Sequence, residues 1–285
     1  MAEIVRSSDF SRPGFAIKGA QFLRLMQKRN LYWSWYEPRN FGDWIGPYLY
    51  QAMLGHMPFY LKRSHHNLGD CFFTVGSILR RIHVPDKAIV WGSGIISAAD
   101  EIARPKSVLA VRGPRSRQRL MELGYSCPEI FGDPAILLSE YYKPKTKPIS
   151  GLVGLIPHFF DYEIVKSTSP QDVFVINVAK PVDEVIDDIA KCELTLSSSL
   201  HGLIVSHTYN VPTVWIRSIN KLVGDDCKFH DHFEAIGIGN IAPTEISYTS
   251  SSKELCRYSE VATLADLSVL RTNLLGCCPF TRGSS

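Results

Sequence analysis

Apolar positions along this chain follow two rhythms. Short β-rich runs alternate with stretches whose apolar residues recur every three or four positions, the signatures of strand and helix. In the first half, residues 88–91, 107–111 and 129–131 predict strands. Residues 45–54 and 114–123 predict helices, the second opening on Pro114 and stopping at Gly124. Residues 151–156 and 173–177 are almost continuously apolar, as strands buried on both faces are. Residues 182–190 form an amphipathic helical pattern. A strand at 193–196 then runs into Ser197-Ser198-Ser199-Leu200-His201-Gly202. Leu200, Leu203, Ile204 and His207 repeat at helical spacing until Asn210-Val211-Pro212. A strand at 213–216 and a helix at 264–275 complete the pattern.

Between the halves, residues 141–148 are proline-rich and basic and read as a linker. Strands alternating with helices on both sides of it predict an α/β fold with a cleft between two halves, 1–148 and 149–285. The helix at 264–275 is free to pack back onto either half. No internal repeat or low-complexity tract interrupts this plan.

Composition narrows the partners. A chain that is 45% hydrophobic and 21% charged folds rather than staying disordered. A net charge of +3 is too small for a dedicated nucleic-acid binder. No run of about 18 apolar residues predicts a transmembrane helix, and Met1–Arg6 lacks the apolar core of a signal peptide. Seven scattered cysteines without a CxxC pair fit a reducing, cytoplasmic setting and argue against structural zinc. One stretch is unusual. Residues 17–35 mix Phe22, Leu25, Trp33 and Trp35 with Lys18, Arg24, Lys28 and Arg29. A core-packing helix is the plain account of it, and peripheral contact with a membrane surface is the alternative.

Several junctions carry groups able to do chemistry. Ser197, Ser199 and His201 lie at a strand end and a helix start, where open α/β sheets bind ligands and free N–H groups attract anions. Arg112-Gly113-Pro114-Arg115-Ser116 lies at another such junction. Arginines there oppose the helix dipole, which favours an anion site over a solvated first turn. Asn40-Phe41-Gly42-Asp43 precedes a helix, so Asp43 is either a cap or a base. Gly92-Ser93-Gly94 permits close approach of a ligand or a plain turn. Asp133 is read as fixing a turn, and His158 as a strand-end histidine facing the cleft. Gly237–Ala242 fits GxGxxA but precedes Pro243 rather than a helix, so the dinucleotide reading fails. His230-Asp231-His232 has no second ligand cluster to make a metal site. The absence of GxSxG weakens a serine-hydrolase reading.

In order, Asn40–Asp43, Trp91–Gly94, Val111–Ser116, Gly132–Pro134, Ile156–His158 and Ser197–Gly202 resemble the polysaccharide pyruvyl transferase family. Lys228-Phe229 and Asp231 fit as well, and the likeness is strongest to its bacterial exopolysaccharide branch. The resemblance implies two Rossmann-like domains in a GT-B-like arrangement, with phosphoenolpyruvate as donor and no further cofactor. It implies a hexose acceptor, usually lipid-linked, and a pyruvate ketal product with release of phosphate, at the inner face of the cell membrane. His201 is then the expected acid and Asp43 the expected base. Arg112, Arg115, Ser116, Ser197, Ser199, Gly92, Ser93, Gly94, His158 and Lys221 are the expected donor contacts. Many relatives carry Arg where this chain has Ser199, so Lys221, Arg217 or Lys228 is expected to supply the cation. A nucleotide-sugar glycosyltransferase of the GT-B type and a non-catalytic glycan-binding relative are the competing readings.

Overall fold

The computed structural model describes residues 30–33, 40–60, 69–220 and 224–280. Two all-parallel sheets form its frame. The first runs in the order β2-β1-β3-β4-β5, with β1 Asn30–Tyr32, β2 Phe59–Tyr60, β3 Cys71–Phe73, β4 Ala88–Trp91 and β5 Ser107–Ala110. The second runs β7-β6-β8-β9, with β6 Val153–Ile156, β7 Phe174–Val175, β8 Leu194–Ser197 and β9 Thr213–Trp215. Every residue of β6 and β8 is buried, as parallel strands covered on both faces must be.

Helices cover the sheets. These are α1 Phe41–Leu54, α2 Pro114–Glu122, α3 Leu138–Tyr141, α4 Tyr162–Thr168, α5 Val182–Ala190, α6 Leu200–Thr208, α7 Cys227–Ala235, α8 Ser252–Leu255 and α9 Ser268–Gly276. Asn40 caps α1 by accepting from the Gly42 N–H, and Gly55 closes it in the left-handed conformation. One apolar cluster runs through both halves. It joins Trp44 and Leu49 of α1 to Ile186 of α5, Leu203 of α6 and Phe233 of α7.

Four elements depart from the sequence pattern. The expected strand at 129–131 is a single bridge, Val111 to Phe131. Strands β1 and β3 are only three residues long, too short for a period to show. Helix α7 carries buried residues on several sides, Cys227, Phe229, Asp231, His232 and Phe233, so it has no clean apolar stripe.

The C-terminal segment packs on the first sheet's side. Trp91 Nε1 donates to the Leu274 carbonyl at 3.1 Å, and Phe280 packs edge-on against Tyr50, Phe72 and Trp91. No helix among the described residues is long and apolar enough to cross a membrane. Of the aromatic-basic stretch at 17–35, only residues 30–33 fall within the described residues, with Leu31 and Trp33 buried.

Candidate active site

The carboxyl ends of both sheets supply one polar cluster. In the second sheet, β8 ends at Ser197 and α6 begins three residues later. Ser199 caps α6, its Oγ accepting from the Gly202 N–H at 3.4 Å. Ser197 Oγ donates to the Ser199 carbonyl at 2.9 Å and accepts from its N–H. Ser198 Oγ accepts from the His158 N–H at 2.8 Å. The three hydroxyls therefore shape the strand-to-helix turn, and the turn presents His201 in the first turn of α6.

His201 reaches across to the first half. Its Nε2 lies 3.7 Å from Asp133 Oδ2, with 12% of the imidazole side chain exposed. Asp133 is fully buried and fixed by two N–H groups, Ala135 at 3.0 Å and Gly76 at 3.1 Å. It fixes its turn, as the sequence suggests, and it also faces the imidazole. The other side of the ring lies on Gly42, where any Cβ would collide with Nδ1. A glycine is required there by close approach, and the approaching group is a histidine from the opposite half.

Asp43 follows Gly42 in the first turn of α1. Burial pushes its carboxyl up to about 6, while His201, Asn40 and Lys228 pull it down. Asn40 Nδ2 donates to Asp43 Oδ2 at 3.3 Å. Pro47 has no N–H to offer the Asp43 carbonyl one turn back. Across the site, burial and then the Lys228 charge push His158 down to about 4. His158 is therefore neutral at pH 7, and its Nδ1 accepts from the Phe160 N–H at 3.4 Å.

The arginine motif behaves differently from the expectation of an open anion site. Arg112 is completely buried, with all three guanidinium nitrogens engaged by protein. Nε donates to Asp231 Oδ2 at 2.9 Å, one terminal nitrogen to Ser77 Oγ at 2.5 Å, and the other to the Ile95 carbonyl at 2.6 Å. Ser116 donates to Asp231 through both its N–H and its hydroxyl. Arg115 pairs with Glu234 at 2.7 Å. The motif thus ties α2 to α7. Gly94 allows close approach as the sequence implied, but what lies against it is the Arg112 guanidinium. Ser93 is buried and donates to the Gly76 carbonyl, and Gly92 sits in the same turn with a positive φ.

Of the cations expected to replace Arg at position 199, Arg217 pairs with Asp226 and Glu245. Lys221 lies outside the described residues. Lys228, half-buried on α7, makes no ion pair among the described residues; its ammonium lies 5.1 Å from the Phe229 ring centroid. Burial, then Arg112, pushes it down to about 8. His230-Asp231-His232 is divided between tasks. Asp231 holds Arg112, and His232 Nε2 meets His207 Nδ1 at 3.1 Å. Among the described residues no group of three such side chains is placed to hold a metal ion. Beyond β9, a cavity of about 560 Å³ is bordered by Trp215, Arg217, Asn220, Asp226 and Phe229.

Sequence reasoning missed Ser77, Gly76 and the interhalf role of Asp231. Asp231 had a signal available, since Arg112 needed a buried counter-charge.

These features define an α/β protein on parallel sheets whose strand ends share one titratable cluster. The model of the polysaccharide pyruvyl transferase family matches residues 27–220, and the chain belongs to that family. An uncharacterised protein of Acanthamoeba polyphaga mimivirus is 30% identical over 180 residues. That match covers 60% of this chain and 62% of the viral protein, so the chain spans under two thirds of that relative. A functionally uncharacterised protein of Klebsiella pneumoniae subsp. pneumoniae, known from a crystal structure, is 12% identical, with a TM-score of 0.43. The comparison covers 80% of this chain and 96% of that one.

Proposed function

We propose that this protein transfers the pyruvyl group of phosphoenolpyruvate to a saccharide, forming a ketal across two sugar hydroxyls and releasing phosphate. One observation carries the reading: His201 from the second half is set between Gly42-Asp43 and Asp133 from the first. Membership of the family supports it.

Ketal formation needs an acid and a base close together. A proton adds to the donor's methylene carbon, and a sugar oxygen bonds to the carbon beside it. The bond from that carbon to the phosphate oxygen breaks as the second sugar oxygen bonds. The two hydroxyl protons leave to a base and to the departing phosphate. His201, its ring set between Gly42 and Asp133, supplies the first proton. Asp133, facing Nε2, orients the ring. Asp43, with a carboxyl near 6, is ionised at pH 7 and accepts a hydroxyl proton. The cavity beyond β9, where Ser218, Asn220 and Asp226 offer polar groups beside Trp215 and Phe229, is the proposed place for the sugar. In this reading the two sheets are Rossmann-like domains in a GT-B-like pair. The acceptor is lipid-linked and met at the cytoplasmic face of a membrane.

The test is phosphate release from phosphoenolpyruvate in the presence of candidate saccharides, with the ketal methyl group followed by NMR. His201→Ala is expected to lower kcat by about 10²-fold or more, the usual share of a positioned acid. Near-normal turnover of that variant at saturating donor removes the acid role. Release of a nucleoside diphosphate from a nucleotide sugar, with none of phosphate from phosphoenolpyruvate, replaces the reading with glycosyl transfer.

A further inference from the structure

We infer that Lys228 is the anion anchor of this site, the ammonium that holds the phosphate or carboxylate of a small three-carbon donor. The inference rests on the pyruvyl-transfer reading and adds to it the group that binds the donor's charge.

Three observations converge. The first is the engagement of the arginines. Arg112, Arg115 and Arg217 all face carboxylates of the protein, and Arg112 has no nitrogen left over. A dianionic ligand gains little from a guanidinium already neutralised. The second is placement. Asp231, three residues on along α7, points at Arg112 between the two halves. Residues three apart share a helix face, and side chains lean toward the helix N-terminus. Lys228 therefore stands on the helix face that carries Asp231, about one turn nearer the N-terminus of α7. Its ammonium lies 5.1 Å from the Phe229 ring centroid, and its charge bears on Asp43 of the first half and on His158 of the second. The third is the missing partner. A half-buried ammonium with no ion pair among the described residues is costly to the fold. An incoming anion supplies the counter-charge.

Ser199 does not compete for this role, because its Oγ caps α6.

Binding and melting together test the assignment. Calorimetric titration of the full chain with phosphoenolpyruvate, and separately with inorganic phosphate, is compared for the wild type, Lys228→Met and Lys228→Arg. Loss of one charge-assisted contact predicts binding weakened by about 10- to 100-fold in Lys228→Met, with recovery in Lys228→Arg. Because Met removes an unpaired charge, the Tm of the ligand-free protein should hold or rise. A purely structural lysine predicts the opposite, a lower Tm with unaltered binding, and that result overturns the assignment. If Lys228→Met lowers both, Lys228→Arg decides: recovered binding supports the anchor and continued loss overturns it. A wild type that binds phosphate but not phosphoenolpyruvate, with phosphate binding lost in Lys228→Met, keeps the anion site and removes the donor reading. A wild type that binds neither overturns both. Equal binding by wild type and Lys228→Met removes the anchor alone.

Discussion

Asp43 joins two properties that pull against each other. Its carboxyl sits near 6 because burial penalises the charged form more than His201, Asn40 and Lys228 favour it. The raised value means the folded protein holds this proton more tightly than the unfolded chain does. Its contribution to stability is thus fully present below the ordinary carboxylate range and is lost as pH rises through about 6. Catalysis as proposed needs the opposite state, the ionised base. The acid limb of kcat/KM is therefore expected near pH 6, with activity rising above it. Asp43→Asn is expected to abolish that limb with most of the turnover, yet to raise Tm at pH 7 relative to wild type. A pH–rate profile beside a melting series at several pH values reads both. Loss of activity with unchanged pH dependence of Tm would mean that Asp43 is not the buried acid described here.

At the scale of elements, the strand-to-helix junctions were legible because composition marks them. Buried parallel strands read as apolar runs, and Pro114 and Gly124 bracket α2 as helix ends should. The sequence also showed that Gly94 permits close approach, but not to what, and it carried no such sign for Gly42. In both cases the approaching group belongs to a distant segment, His201 and Arg112, and no local pattern encodes that pairing. Helix α7 was hidden for a related reason. It is packed on α2 by Asp231 and on α6 by His232, so polar residues fill its buried face. The hydroxyls of Ser197 and Ser199 are expected as donor contacts, while the structure gives each a backbone partner. Ser199→Ala separates cap from contact. Loss of a serine N-cap costs about 1 kcal/mol, or roughly 2–4 °C in Tm for a chain of this size. As a cap, the variant should melt lower while the KM for phosphoenolpyruvate stays within about twofold of wild type. A large rise in KM with no change in Tm would restore the donor contact.

Across the whole molecule, the two halves share an apolar cluster and, among the described residues, a fully buried ion pair, Arg112 with Asp231. Both side chains are fully buried, so desolvation offsets much of their attraction. Removing one partner leaves the other charged and unpaired. Asp231→Ala is therefore expected to cost about 3–5 kcal/mol, which thermal denaturation would show as a large fall in Tm. Replacing both, as Arg112→Met with Asp231→Leu, removes the stranded charge and should recover much of that loss. Recovery stays incomplete because Ser116 loses the acceptor for its N–H and hydroxyl. The double variant also separates the two accounts of Arg112. If the guanidinium serves to pin α2 to α7, a refolded double variant still binds phosphoenolpyruvate, because Lys228, which makes no ion pair among the described residues, lies one turn earlier on α7. If Arg112 itself holds the donor, stability returns and binding does not. Calorimetry on the same sample that gave the Tm distinguishes these outcomes, since each predicts a different pairing of melting point and affinity.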